Sequence, residues 1–157
     1  MTELQQEPVD TDARIRKTSW RQFFETSQML TNRLDQLLRK DTPLRLADYD
    51  VCQLLYNAPD NRMRLGDIAH IMVFSPSRLS YQVGVLCDKG ILRRIEDVSD
   101  GRAAFAELTN HGLEVFLEAR EMHGRHVEEL VADLVTVEEA ESVERIFARV
   151  RERLLND

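Results

Sequence analysis

The stretch Ser99-Asp100-Gly101-Arg102-Ala103-Ala104-Phe105-Ala106-Glu107-Leu108-Thr109-Asn110-His111-Gly112 decides how this chain folds. It joins a tight charged turn to a short apolar strand and then to a helix start, opened by Thr109 or Asn110. Just before the turn lies a second strand-like piece, Ile91-Leu92-Arg93-Arg94-Ile95. Strands are expected over 92–96 and 103–108, closed into a hairpin by the turn.

Working upstream, Ser75 is a helix N-cap and Pro76 takes the first helical position, where a missing N–H costs nothing. Lys89-Gly90 ends that helix, because glycine accepts the left-handed conformation. Leu79, Val83 and Leu86 are spaced four and three apart and share the inward face. Ser77, Ser80, Tyr81 and Gly84 then point outward, with Arg78 and Gln82 on the flanks. A shorter helix over 65–72 precedes it, with Leu65, Ile68, Ala69 and Met72 on one side and Val73-Phe74 as the bend. Helix, bend, helix and hairpin in that order make a winged helix-turn-helix. The fold class is therefore mainly α (α+β).

The outward face of the 75–88 helix carries hydroxyls, a phenol, an amide and a guanidinium, groups that suit phosphate oxygens and base edges. Ser75, Ser77, Arg78, Ser80, Tyr81 and Gln82 are the candidate DNA contacts of the helix. Arg93, Arg94 and Arg102 are those of the hairpin. Arg102, at the tip, suits a narrow minor groove, and Asp100 is placed to orient it. The bland alternatives are a solvated polar face and a surface ion pair worth under ~1 kcal/mol.

Long helices flank this unit. Trp20, Phe23, Phe24, Ser27, Leu30, Leu34, Leu37 and Leu38 recur at three- and four-residue steps, which predicts a helix over 12–40, ended by Asp41-Thr42-Pro43. Asp48 is read as the N-cap of a short following helix. Beyond the hairpin, Leu113, Phe116, Leu117, Arg120, His123, Val127, Leu130 and Leu134 form a second stripe. Thr136 and Glu139 form a capping box for a last helix whose inner face is Val143, Ile146, Phe147, Val150, Leu154 and Leu155. These stripes exceed what a winged unit of some sixty residues can cover, and a second copy of the chain is the commonest cover. The expected organisation is a mobile tail over 1–11 and one domain over 12–157. Within it, 46–109 is the winged part, and 12–40 and 110–157 are dimerisation helices.

The formal net charge of -7 speaks against a nucleic-acid partner, but its distribution weakens the objection. Residues 62–102 carry seven Lys/Arg against five Asp/Glu, and the rest of the chain carries fourteen against twenty-three. Screening confines each field to about 10 Å, so the local sign counts. No apolar run approaches the ~18 residues of a membrane span, and the polar start has no secretory pattern, so a cytoplasmic protein without a membrane partner is expected. Cys52 and Cys87 read as small buried hydrophobes, with a thiol sensor as the alternative.

At this point the chain resembles the MarR family of winged-helix regulators. The matching pieces are Leu65-Gly66-Asp67-Ile68-Ala69 in the first helix of the motif and Ser75-Pro76-Ser77-Arg78-Leu79-Ser80 at the start of the second. Leu86-Cys87-Asp88-Lys89-Gly90-Ile91-Leu92-Arg93-Arg94 follows, and then Asp100-Gly101-Arg102 with Leu108-Thr109 and Gly112. The resemblance implies a homodimer built by the first and last helices, a palindromic operator in double-stranded DNA, and repression relieved by a small aromatic ligand. Trp20, Phe24, Tyr49 and Tyr56 are the candidates for that ligand's pocket, against the alternative that they are core. The redox variant of the family fits poorly, because the first helix holds no cysteine.

His123 and His126 share a face, yet no further ligands converge on them in sequence, so no metal and no cofactor are expected. Glycine-rich phosphate loops and catalytic triads are missing as well, so no enzyme is expected. The competing function is a winged-helix protein-interaction module without DNA contact, which the net acidity favours.

Overall fold

The computed structural model describes residues 11–96 and 104–156. Asp100, Arg102 and residues 1–10 of the expected tail over 1–11 lie outside the described residues, and Thr11 opens the first helix instead of ending the tail.

Helix α1 (Thr11–Asp41) runs the length its apolar stripe predicts. It stops where Thr42 turns back, its N–H and hydroxyl both bonding the Leu38 carbonyl at 2.8 Å, just before Pro43. Only its last turns reach the core, through Leu34 and Leu38.

Helix α2 (Leu46–Tyr56) starts earlier than expected. Asp48 is its third residue, not its N-cap, and its carboxylate accepts the Arg45 N–H at 3.0 Å. A carboxylate inside the first turn satisfies an orphan N–H as well as a capping side chain does, so the cap position itself falls to arginine.

After a 3-10 turn at Pro59–Asn61 comes β1 (Arg62–Arg64), a strand that periodicity does not reveal. The winged unit continues as α3 (Leu65–Ile71), α4 (Pro76–Asp88), β2 (Leu92–Glu96) and β3 (Ala104–Leu108). The antiparallel sheet has the order β1-β3-β2, so β3 is central. Its register pairs Met63 and Arg94 with Ala106, and Arg64 and Ile95 with Phe105. Ala106 and Leu108 face the core, while Phe105 and Glu107 face outward.

One apolar core joins α2, α3, α4, the sheet and α5 (Asn110–Leu130). Phe116 and Ala119 carry the buried side of α5. Leu117 and Arg120, expected on its apolar stripe, are exposed, because the helix rolls to seat Phe116 between Tyr49 and Tyr56. Thr109 caps α5 by accepting the Gly112 N–H at 2.9 Å.

Helix α6 (Val137–Asn156) opens with the expected box: Glu139 accepts the Thr136 N–H at 2.8 Å and Thr136 accepts the Glu139 N–H at 3.3 Å. No residue of α6 is buried. Phe147 packs on Phe23 and Trp20, with ring centroids 5.0 and 6.3 Å apart, while Val143, Ile146, Leu154 and Leu155 stay exposed.

Candidate nucleic-acid interface

Helix α4 is held by its inward face. Leu79, Val83 and Leu86 are each no more than 1% exposed, and full burial of such side chains is worth about 1.5–3 kcal/mol apiece. Ser75 fixes where the helix starts, accepting the Arg78 N–H at 3.3 Å and lying 3.2 Å from the Ser77 hydroxyl. With the helix pinned on one side, Ser77, Arg78, Ser80, Tyr81 and Gly84 are all exposed on the other, Tyr81 at 76%. No acidic residue stands in the first turn. The exposed face is a row of neutral donors and acceptors with one guanidinium, spanning about two turns.

Arg78 is not a loose chain. Its guanidinium lies 3.7 Å from the centre of the Phe74 ring, four residues back across the cap. Stacking of that kind restrains a rotamer-rich side chain and leaves its N–H edges open. Gln82 differs from its neighbours: it is half-buried, and its amide nitrogen donates to Asp48 at 3.1 Å.

The hairpin arginines part company. Arg93 sits on the outward face of the sheet and pairs with Glu107 at 2.6 Å. Arg94 points to the other side of β2 and is exposed. Arg62 and Arg64 flank Phe105 at 5.7 and 5.3 Å, and belong to the strand that sequence periodicity does not show. The turn residues Asp100 and Arg102 are outside the described part of the chain.

The four aromatic residues read as a ligand pocket do not come together. Trp20 and Phe24 join Phe23 and Phe147 in an outer group on α1 and α6. Tyr49 and Tyr56 pack on Phe116 in the core. Trp20 and Leu38 are eighteen residues apart on one helix, about 27 Å along its axis, which keeps the groups separate within one chain.

The thiols are poorly suited to sensing. Both cysteines are free. Burial, with Asp48 beside it, pushes the Cys52 thiol up to about 12, and burial also raises Cys87. Reactive thiols need the opposite.

His126 Nε2 lies 3.3 Å from the Asp41 carboxylate, and its Nδ1 is buried without a partner. His123 stacks on Tyr49 with centroids 4.6 Å apart, and burial lowers its pKa. No group of three or more metal-ligating side chains is gathered among the described residues, and no helix among them is long and apolar enough to cross a membrane.

Sequence reasoning missed Phe74 as the platform for Arg78 and Asp48 as the buried acceptor for Gln82. An aromatic four residues before an arginine is a usable signal for the first. The second joins residues 34 positions apart and has no local signature.

No protein-family model and no curated protein sequence matches the chain. Solved structures do. AbsC, a MarR family transcriptional regulator from Streptomyces coelicolor, is 29% identical with a TM-score of 0.84, over 97% of this chain and 99% of that one. Sco3205, a MarR family transcriptional regulator from the same organism solved in complex with DNA, is 30% identical with a TM-score of 0.84, over 95% of this chain and 92% of that one. An organohalide-sensing transcriptional regulator in its 2,4-dichlorophenol-bound form shares the fold, with a TM-score of 0.76 at 16% identity, over 98% of this chain and 89% of that one. With helix, bend, helix and hairpin all in the order these regulators share, and identity reaching 30% along nearly the whole length, the chain belongs to the MarR family of transcriptional regulators.

Proposed function

We propose that this chain is a DNA-binding transcriptional regulator that works as a homodimer on a palindromic operator, with α4 of each copy in a major groove. The observation that carries this reading is the exposed face of α4. Ser77, Ser80 and Tyr81, with the stacked Arg78, form an acid-free row on a helix whose other side is fully buried. Such a row offers hydroxyls and a guanidinium to phosphates and base edges. Arg94 on β2 and Arg102 of the turn join it as proposed contacts, with Asp100 proposed to orient Arg102. Arg93 has its guanidinium engaged by Glu107 and ranks below them.

Dimerisation is supported by the uncovered apolar faces of α1 and α6. Trp20, Phe23, Phe24, Val143, Ile146, Leu154 and Leu155 are exposed in the single chain, and a patch of that kind marks an interface. In this reading residues 46–109 are the DNA unit, and 12–40 with 110–157 clasp the partner. Repression, release by a small aromatic ligand and action in the cytoplasm, where the chromosome is, complete the proposal. The ligand is supported by family resemblance and by the fold shared with a regulator solved with 2,4-dichlorophenol.

The test is a titration of duplex DNA from either side of the chain's own coding sequence. Specific affinity of roughly 10^-8 to 10^-10 M, falling steeply with salt, is expected. Arg78→Ala and Tyr81→Ala should each weaken binding about tenfold and relax base preference. Two variants that footprint like the wild type remove α4 from the interface. A wild type that ignores every duplex returns the chain to the protein-interaction reading that its net acidity favours. In parallel, Leu154→Asp, on the exposed face of α6, should turn a sedimenting dimer into a monomer.

A further inference from the structure

We propose that Gln82 is a positioning residue and not a base contact: through the buried Asp48 it sets the roll of α4 against α2. The proposal rests on α4 being the DNA-reading helix.

Asp48 is 4% exposed and is the one charged residue that is buried among the described residues. A carboxylate taken out of water must have its oxygens bonded. Here the two oxygens are divided. Oδ2 accepts the Arg45 N–H at 3.0 Å, which fixes the carboxylate at the start of α2. Oδ1 accepts from Nε2 of Gln82 at 3.1 Å, which reaches over from α4.

The apolar contacts of Leu79, Val83 and Leu86 choose which face of α4 is buried but are non-directional, so they leave the last few degrees of its rotation to be set by something else. A hydrogen bond to a fixed charged acceptor is directional. It selects one roll of α4, and with it the direction in which Ser77, Ser80 and Tyr81 point. The start of α2 is itself tied to α1, because Asp35 accepts the Leu46 N–H at 2.9 Å. Asp35, Asp48 and Gln82 thus form a polar chain from the outer helix to the reading helix. A shift of α1 reaches α4 along it.

The experiment is a polarity swap. Gln82→Glu alone places two carboxylates within hydrogen-bond distance in a half-buried spot. It should weaken binding to the same duplex about tenfold or more, by a similar factor at every base position of the site. Adding Asp48→Asn reverses the bond. The new amide oxygen still accepts from Arg45, and its nitrogen donates to the new carboxylate, so the double variant should return to within about threefold of the wild type. A residue that touched bases from position 82 is not rescued by a change inside the core. A double variant as weak as the single therefore overturns the proposal.

Thermal midpoints of the same three proteins test the link without DNA: the single variant should fall and the double recover. A double variant that stays down overturns the link. A wild type that ignores the duplex while the midpoints recover overturns the DNA reading and leaves the α2–α4 link standing.

Discussion

Helices α3 and α4 end in the same turn, one closed by valine and the other by glycine. At the end of α4 the Gly90 N–H bonds the Cys87 carbonyl at 2.9 Å and the Ile91 N–H bonds that of Leu86 at 3.0 Å, with Gly90 at φ +70. At the end of α3 the Val73 N–H bonds the His70 carbonyl at 3.3 Å and the Phe74 N–H bonds that of Ala69 at 2.9 Å, with Val73 at φ +54. Both are Schellman turns, in which the residue past the cap must be left-handed. For a β-branched residue that conformation costs roughly 1–2 kcal/mol.

The surroundings differ as well. The Gly90 turn is welded to the start of α5: the Thr109 hydroxyl donates to the Gly90 carbonyl at 2.6 Å, and the Thr109 N–H to that of Ile91 at 3.1 Å. The Val73 side chain is 90% exposed. The hydrogen-bond pattern decides the turn and the residue only sets its cost. The turn that aims α4 is the costlier of the two.

Three substitutions probe that contrast. The largest effect belongs to Gly112→Ala, three residues past Thr109 and against Ile91. A Cβ there lies 1.9 Å from the Ile91 carbonyl oxygen and 2.8 Å from its carbon. Backbone atoms cannot step aside cheaply, so a loss of about 3 kcal/mol or more is expected in urea unfolding. Wild-type stability would show that the two segments are not locked together.

Gly90→Val comes next. A Cβ at this position meets only the His111 ring carbon, at 3.9 Å. The Cβ is therefore unobstructed, and the expected loss of about 1–2 kcal/mol is conformational. A loss as large as that of Gly112→Ala would point to a clash instead.

The smallest change has the opposite sign. Val73→Asn keeps the turn, tolerates the left-handed region and gives up a side chain that buries nothing, so a gain of about 0.5–1 kcal/mol is expected. A lower midpoint would show that the valine contributes something the turn geometry does not reveal.

The same pair of turns shows what could be read in advance. Ser75-Pro76 and Lys89-Gly90 announce both ends of α4, because cap and stop chemistry is local. Leu79, Val83 and Leu86 announce its inward face for the same reason. Val73 does not announce a Schellman turn, because the residue that usually marks one is missing. Strand β1 is three residues long and exists through its pairing with β3, which no window over Arg62-Met63-Arg64 contains.

The aromatic candidates for a ligand pocket failed to converge for a related reason. Periodicity says that Trp20 and Tyr49 each sit on an apolar face, and says nothing about the distance between those faces. The outward row of α4 was legible, whereas the tether on its flank was not, since Gln82 meets Asp48 only once α2 and α4 have packed.

The deep placement of Cys52 turns the chain into its own stopwatch. With its thiol held near 12 and shut away from solvent, the sulfur is silent toward alkylating reagents until the helices around it separate. The pace at which it acquires a label therefore reads how often the interior breathes open. Half-buried Cys87 on α4, placed nearer the surface, provides a second clock for lesser, local excursions.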